Sequence, residues 1–157
     1  MATDIKISWS STLLEGDLGF ENNDLEQDAG LETAAIVSLF TDRRAADDDL
    51  LPDPERGKRG WWGDLVSGIE DDKIGSRLWL LEREKTTEET LVRAKQYILE
   101  SLAWMKEDGI TNKIEAKVER QGTVTTPILA FLVKIYRDNS TLNISFNEQW
   151  EAQEIAI

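Results

Sequence analysis

The sequence predicts an α+β fold: an antiparallel strand meander packed on a long amphipathic helix, with a second buried helix and long loops. Three observations carry that reading. A capped stripe of apolar residues at helical spacing runs between residues 86 and 108, three strand-like runs follow residue 111, and a nearly all-apolar helical run begins at Leu31. At 157 residues the chain suits one domain, divided into an acidic segment and helix (1–45), a loop with a tryptophan motif (46–85), the long helix (86–108) and the meander (111–147).

Taken in order, Ile5, Ile7 and Trp9 alternate with Asp4, Lys6 and Ser8, the period of a half-buried strand. Residues 10–30 carry Gly16, Gly19 and Gly30 among acids without periodicity and read as an irregular loop. From Leu31, the run LETAAIVSLFTDRR reads as a helix buried on most sides, with Asp28 and Glu32 flanking its start and Arg43 and Arg44 placed to complement its C-terminal dipole. AADDDLLPDPERGKRG is a long, charged loop, and loops of that length inside a compact domain are usually functional or mobile. Ile74 to Glu84 suits a short helix carrying Leu78, Trp79 and Leu81.

Thr86 and Glu89 are spaced as a capping box, with Thr86 as N-cap and Glu89 at N3. The helix they open has Leu91, Ala94, Ile98, Leu102 and Met105 on one stripe, Tyr97, Ser101 and Trp104 beside it, and Asp108-Gly109 as the stop. In KIEAKVER, Ile114, Ala116 and Val118 face one way and Lys113, Glu115, Lys117 and Glu119 the other. Ile128 to Tyr136 is apolar almost throughout, as a central strand covered on both faces would be. After the Asp138-Asn139 turn signal, Leu142, Ile144 and Phe146 alternate with polar residues.

Composition removes several function classes. With 31 acids against 18 bases the formal net charge is −13, which argues against a binder of phosphate backbones and against a polybasic membrane-surface protein. The absence of Cys and His removes thiolate and imidazole metal sites, disulfides and Ser–His or Cys–His nucleophilic machinery. No apolar run approaches a membrane span and no apolar leader opens the chain, so a cytoplasmic protein, or one released by a route other than secretion, is expected. No cofactor is expected. The acidity is uneven. Residues 1–55 hold 14 acids and three bases, while the remaining 102 residues are nearly neutral; the acidic third is a candidate docking face for a basic patch.

Three constellations invite a functional reading. Asp47-Asp48-Asp49 suggests calcium, but Pro52 stands where an EF-hand loop needs glycine, and a solvated loop is the better reading. A carboxylate pair for glycoside hydrolysis, drawn from Glu70, Asp71 and Asp72 or from Glu82 and Glu84, is the enzymatic alternative. With so many acids, however, some must lie near a tryptophan by chance. Trp61-Trp62-Gly63-Asp64 stands apart. Adjacent tryptophans on an extended segment point opposite ways, so one is expected in the core and the other on the surface, where tryptophan is a frequent interface anchor. The opposing reading packs both beneath the long loop. A DNA-mimicking acidic decoy would leave this motif unexplained.

LETAAIVSLFTDRRA, GWWGD, IGSRLWLLEREK and a helix closing on SLAWMKEDG occur in that order across most of the chain. Together they resemble the small baseplate protein family of Mu-like phages and prophages. More distantly, the layout is similar to the sheath-initiator wedge proteins of contractile tails, in which a G-S-x-L element precedes a helix and a strand meander. Gly75-Ser76-Arg77-Leu78 stands in that place, whereas the Glu-Pro-Arg run of the larger family is replaced by Met105-Lys106-Glu107-Asp108. The resemblance implies a non-enzymatic virion protein of the tail baseplate, assembled in the host bacterial cytoplasm. Its implied partners are other wedge, tube and sheath proteins, with the sheath nucleated by strand addition. The candidate protein-binding residues are Trp61, Trp62, Gly63, Asp64, Gly75, Ser76, Arg77 and Trp79, with Leu142, Ile144 and Phe146 marking the strand edge. Gly63 and Gly75 are expected to set turns of positive φ, and Arg77 to grip a carboxylate in planar, bidentate fashion.

Overall fold

The computed structural model describes residues 4–10, 15–18, 20–21, 24–25, 27–28, 30–66, 73–123, 127–137 and 140–148. The acids Glu70, Asp71 and Asp72 and the Asp138-Asn139 turn signal lie outside the described residues.

Asp4–Ile5 and Ile7–Ser10 are strands, as the alternation predicts, and within residues 10–30, where an irregular loop was expected, further short strands pair antiparallel with them and with each other. β1 (Asp4–Ile5) pairs with β6 (Gln27–Asp28), β2 (Ile7–Ser10) with β3 (Glu15–Leu18), and β4 (Phe20–Glu21) with β5 (Asp24–Leu25). The reason they escape a local reading is that β3 is Glu-Gly-Asp-Leu, a poor strand former by propensity, recruited by its partner's ladder. The Ile7 amide donates to Thr33 Oγ1 (3.0 Å), whose hydroxyl donates to the Ile5 carbonyl (3.4 Å), tying this region to the first helix.

That helix, α1 (Leu31–Phe40), buries Ala35, Ile36 and Leu39 together with Thr33 and Ser38, so little of it is left for solvent. It ends earlier than the charge pattern implied. Thr41 is extended, and Arg43 and Arg44 lie beyond the helix in a segment that pairs with residue 76, so neither caps the dipole. Asp28 belongs to β6.

The long helix is α2 (Glu88–Ser101), followed after a tight turn by α3 (Trp104–Glu107). Its N-cap is Thr87, one residue later than expected: Thr87 Oγ1 accepts from the Thr90 amide (3.3 Å), and the Thr90 hydroxyl donates to the Lys85 carbonyl (2.8 Å). The threonine at N3 thus takes the place of the predicted Glu89. The break at Leu102-Ala103 rewinds the backbone through the bond from the Ala103 amide to the Glu100 carbonyl (3.2 Å). Leu102 and Met105 both end with no exposed surface. Trp104 Nε1 donates to Ser38 Oγ (3.1 Å) and joins α3 to α1.

β7 (Lys113–Gly122), β8 (Pro127–Arg137) and β9 (Ser140–Glu148) form the antiparallel meander, with β8 central. Ile114, Ala116 and Val118 stand opposite Ile135, Val133 and Phe131, which stand in turn opposite Leu142, Ile144 and Phe146. Val133 and Ile135 join Leu39, Leu81, Ile98, Leu102 and Met105 in one core, and the Phe40 and Phe131 rings meet at 6.4 Å. The opposite face of β7 is solvated, with Lys113, Glu115 and Lys117 exposed. Instead of a short α-helix, residues Leu78–Leu81 make a single 3-10 turn, all four of them buried. Among the described residues no helix is long and apolar enough to cross a membrane.

Candidate protein-binding site

The site is assembled on a hook between two distant segments. Residues 41–43 and 75–76 run side by side: the Ser76 amide donates to the Thr41 carbonyl (2.8 Å) and the Arg43 amide to the Ser76 carbonyl (2.9 Å). Ser76 Oγ donates to the Leu39 carbonyl (2.6 Å), one of the acceptors left open at the end of α1. Gly75 makes this approach possible. Its φ is +98°, and a Cβ there would sit 2.3 Å from the Thr41 oxygen, so only glycine satisfies both conditions.

Two arginines then clamp the long loop to this frame. Arg59 makes the planar fork with Glu82 (2.9 and 2.8 Å), reaches Asp42 (2.9 Å) and lies over the Trp79 ring at 4.6 Å. Trp79 is buried, and its Nε1 donates to the Arg43 carbonyl (2.8 Å). Arg77 does not fork onto one carboxylate as expected. Its Nη1 meets both Asp49 oxygens at 3.0 Å, while Nη2 donates to Glu100 (2.7 Å), so it bridges the loop to α2 with the Tyr97 ring 4.8 Å beneath it. Arg43 binds the other Glu100 oxygen at 3.4 Å, so Arg77 and Arg43 share that carboxylate. Burial works against the Arg77 charge, but hydrogen bonds to Glu100 and Asp49 outweigh it and hold the guanidinium even more firmly protonated than usual. For Asp42, burial dominates over the bond from Arg59 and raises its carboxyl above the ordinary aspartate value.

These clamps account for the acids weighed in other roles. Asp47 pairs with Lys58 and Asp49 with Arg77, so the aspartate triplet diverges. Glu82 is held by Arg59, and Glu84 by Arg93 and Thr90.

Immediately after Arg59, the chain turns outward at Gly60. Both tryptophans emerge on the surface, Trp61 42% and Trp62 73% exposed, with ring centroids 5.5 Å apart. The expectation of one core and one surface ring presumed an extended segment. Residues Trp62–Leu65 instead form a 3-10 turn, which sets the rings beside each other. Gly63 lies buried under the Trp61 ring, where a Cβ would be 2.1 Å from ring carbons. Its requirement is therefore close approach, and it is not among the glycines with positive φ. Asp64 Oδ1 accepts from the Ile74 amide (3.2 Å) and fastens the turn to the hook. Leu65 (86%) and Val66 (72%) complete an outward-facing apolar surface that sequence reasoning missed, although both directly follow the motif. Arg59, Asp49 and Glu100 were missed as well, since nothing local identifies an arginine's distant partner. Leu142, Ile144 and Phe146 do not join this cluster. They lie on β9, an outer strand of the sheet, where Leu142 is half-buried against the core and residues 144 and 146 stand opposite 133 and 131 in the register.

Fold and site together define a small α+β protein in which two arginine clamps hold a loop that displays an apolar turn. The family model of phage protein GP46 matches residues 31–142, a stretch that includes both clamps and the tryptophan motif. The chain is 46% identical over 118 residues to the baseplate protein gp46 of Escherichia phage Mu, covering 75% of this chain and 78% of that protein. It is 32% identical over 148 residues to the Mu-like prophage FluMu protein gp46 of Haemophilus influenzae, covering 94% and 98%. The chain belongs to the GP46 family of Mu-like phages and prophages.

Proposed function

We propose that this chain is a structural component of a contractile-tail baseplate, located in the virion, that binds neighbouring wedge and tube subunits and nucleates the tail sheath by strand addition. It acts by binding and not by catalysis. The observation that carries the reading is the turn bearing Trp61, Trp62, Leu65 and Val66, whose apolar side chains face solvent while its base is fixed by Arg59 and Asp64. Clusters of this kind mark interaction sites, and pre-ordering them lowers the entropic cost of docking. The baseplate placement is supported by the 46% identity to the baseplate protein of phage Mu. For strand addition the relevant groups are the backbone N–H and C=O along the outer side of β9, the chemistry of sheet augmentation.

The test is complementation of a phage or prophage lacking this gene. Trp62→Ala with Leu65→Ser is expected to leave a stably folded protein that no longer enters baseplates. Ile144→Pro, which removes a backbone donor from β9, is expected to give baseplates without sheath. Normal tails from both folded variants would discard this assignment of surfaces.

A further inference from the structure

Away from the tryptophan turn, α2 and the sheet enclose an open groove of about 470 Å³. Its lining combines the apolar Leu99, Ala116 and Leu132 with Lys95, Lys117 and Lys134. Glu115 also borders it, but that carboxylate is taken: Lys113 binds it at 2.5 Å and the Tyr136 hydroxyl donates to it at 2.8 Å, and these bonds hold it below the usual glutamate range. Lys117 has only a solvent-exposed bond to Glu119 (3.0 Å), of the kind that contributes little. Among the described residues Lys95 has no salt bridge, and Lys134, which stands opposite Glu115 in the register, feels that carboxylate's charge without a direct bond to it. A molecule of net charge −13 thus lines this groove with three lysines against one carboxylate, a local excess of cations.

We infer that this groove is a second docking site, and that its occupant is a short extended segment of a partner subunit carrying carboxylates between apolar residues. Charge complementarity selects the acid. The geometry selects an extended chain: Lys117 and Lys134 are diagonal neighbours on β7 and β8, a spacing of about 7–8 Å, which matches carboxylates two residues apart on a strand, about 6.7 Å. Lys95, one helical turn from Leu99 on α2, faces the same groove from the other wall. β7 is also an outer strand, so the groove runs beside backbone groups that a peptide can use and a small acid cannot. A long polyanion is disfavoured by repulsion from the rest of the molecule. The inference is independent of the tryptophan turn and of β9.

The probe is a fluorescein-labelled octapeptide alternating glutamate with leucine and threonine, titrated against the full-length protein by anisotropy. Its lysine counterpart and an oligothymidylate serve as comparators. The glutamate peptide is expected to bind, to weaken as salt rises, and to lose at least about tenfold in affinity in the double variant Lys95→Glu/Lys134→Glu. Lys95→Gln/Lys134→Gln should fall between the two, and Lys106→Glu, at an exposed position of α3 outside the groove, should bind as the parent does. Equal binding of the lysine peptide, or binding unchanged in the double variant with a parental melting curve, overturns the inference. So does an oligothymidylate with the same dependence on these lysines, which would assign the groove to phosphate.

Discussion

Replacing Gly75 by alanine should be the most damaging single-methyl change in this protein. Two penalties combine. An alanine held near φ +98° costs about 1–3 kcal/mol in backbone strain. Its Cβ, 2.3 Å from the Thr41 oxygen and 2.8 Å from the Thr41 carbonyl carbon, would also push apart the two segments of the hook. That separation loses the Ser76–Thr41 and Arg43–Ser76 backbone bonds, each contributing about 1 kcal/mol. The total is about 3–5 kcal/mol. Gly57 provides the reference, because its φ is +69° and nothing lies within 4 Å of where a Cβ would be. Gly57→Ala should therefore cost only the conformational part, about 1–3 kcal/mol. Urea unfolding followed by tryptophan fluorescence measures both. With a slope of about 2 kcal/mol/M, the midpoint should fall by about 1.5–2.5 M for Gly75→Ala and by about 0.5–1.5 M for Gly57→Ala, with Gly75→Ala lower by about 1 M. If the two variants unfold within about 1 kcal/mol of each other, the hook is not the structural keystone described above.

The remaining predictions concern charge and surface. Arg77→Met removes the bridge between Asp49 and Glu100 and should cost about 2–3 kcal/mol by urea unfolding, less than a fully buried pair because Glu100 is about one-third exposed. Arg77→Lys should recover only part of this, since an ammonium cannot span both acids in that geometry. Trp62→Ala should change stability by no more than about 0.5 kcal/mol in the same assay, as its ring is mostly in solvent. Asp42 should titrate above the ordinary 3.8 by NMR, and Arg59→Gln should raise it further. Because the folded protein holds that proton more tightly than the unfolded chain, Asp42's stabilising contribution is complete below about pH 3.8. It is lost as pH rises through the folded value.

Much of the architecture was legible because it is written at short range. The stripe Ala94, Ile98, Leu102 and Met105 repeats at helical spacing and became the buried face of α2 and α3, and the apolar run 128–136 became the central strand. Gly75-Ser76 was picked out by its motif, and its demand for positive φ held. What went unread depends on partners far along the chain. The β2–β3 pairing rests on a ladder between segments of which only one looks like a strand. The helix cap moved from Thr86 to Thr87 because Thr90, not Glu89, completes it.

By itself, the sequence determined which segments have a face to bury, where the chain has to turn, and that its chemistry is limited to carboxylates, bases and hydroxyls. Tertiary structure alone decided which arginine meets which acid, and that both tryptophans of the motif face outward. A periodic pattern is a property of neighbours within one turn or one pleat. An ion pair such as Arg77 with Asp49 and Glu100 joins residues 28 and 23 positions apart, and exists only once packing has brought three separate elements to one place.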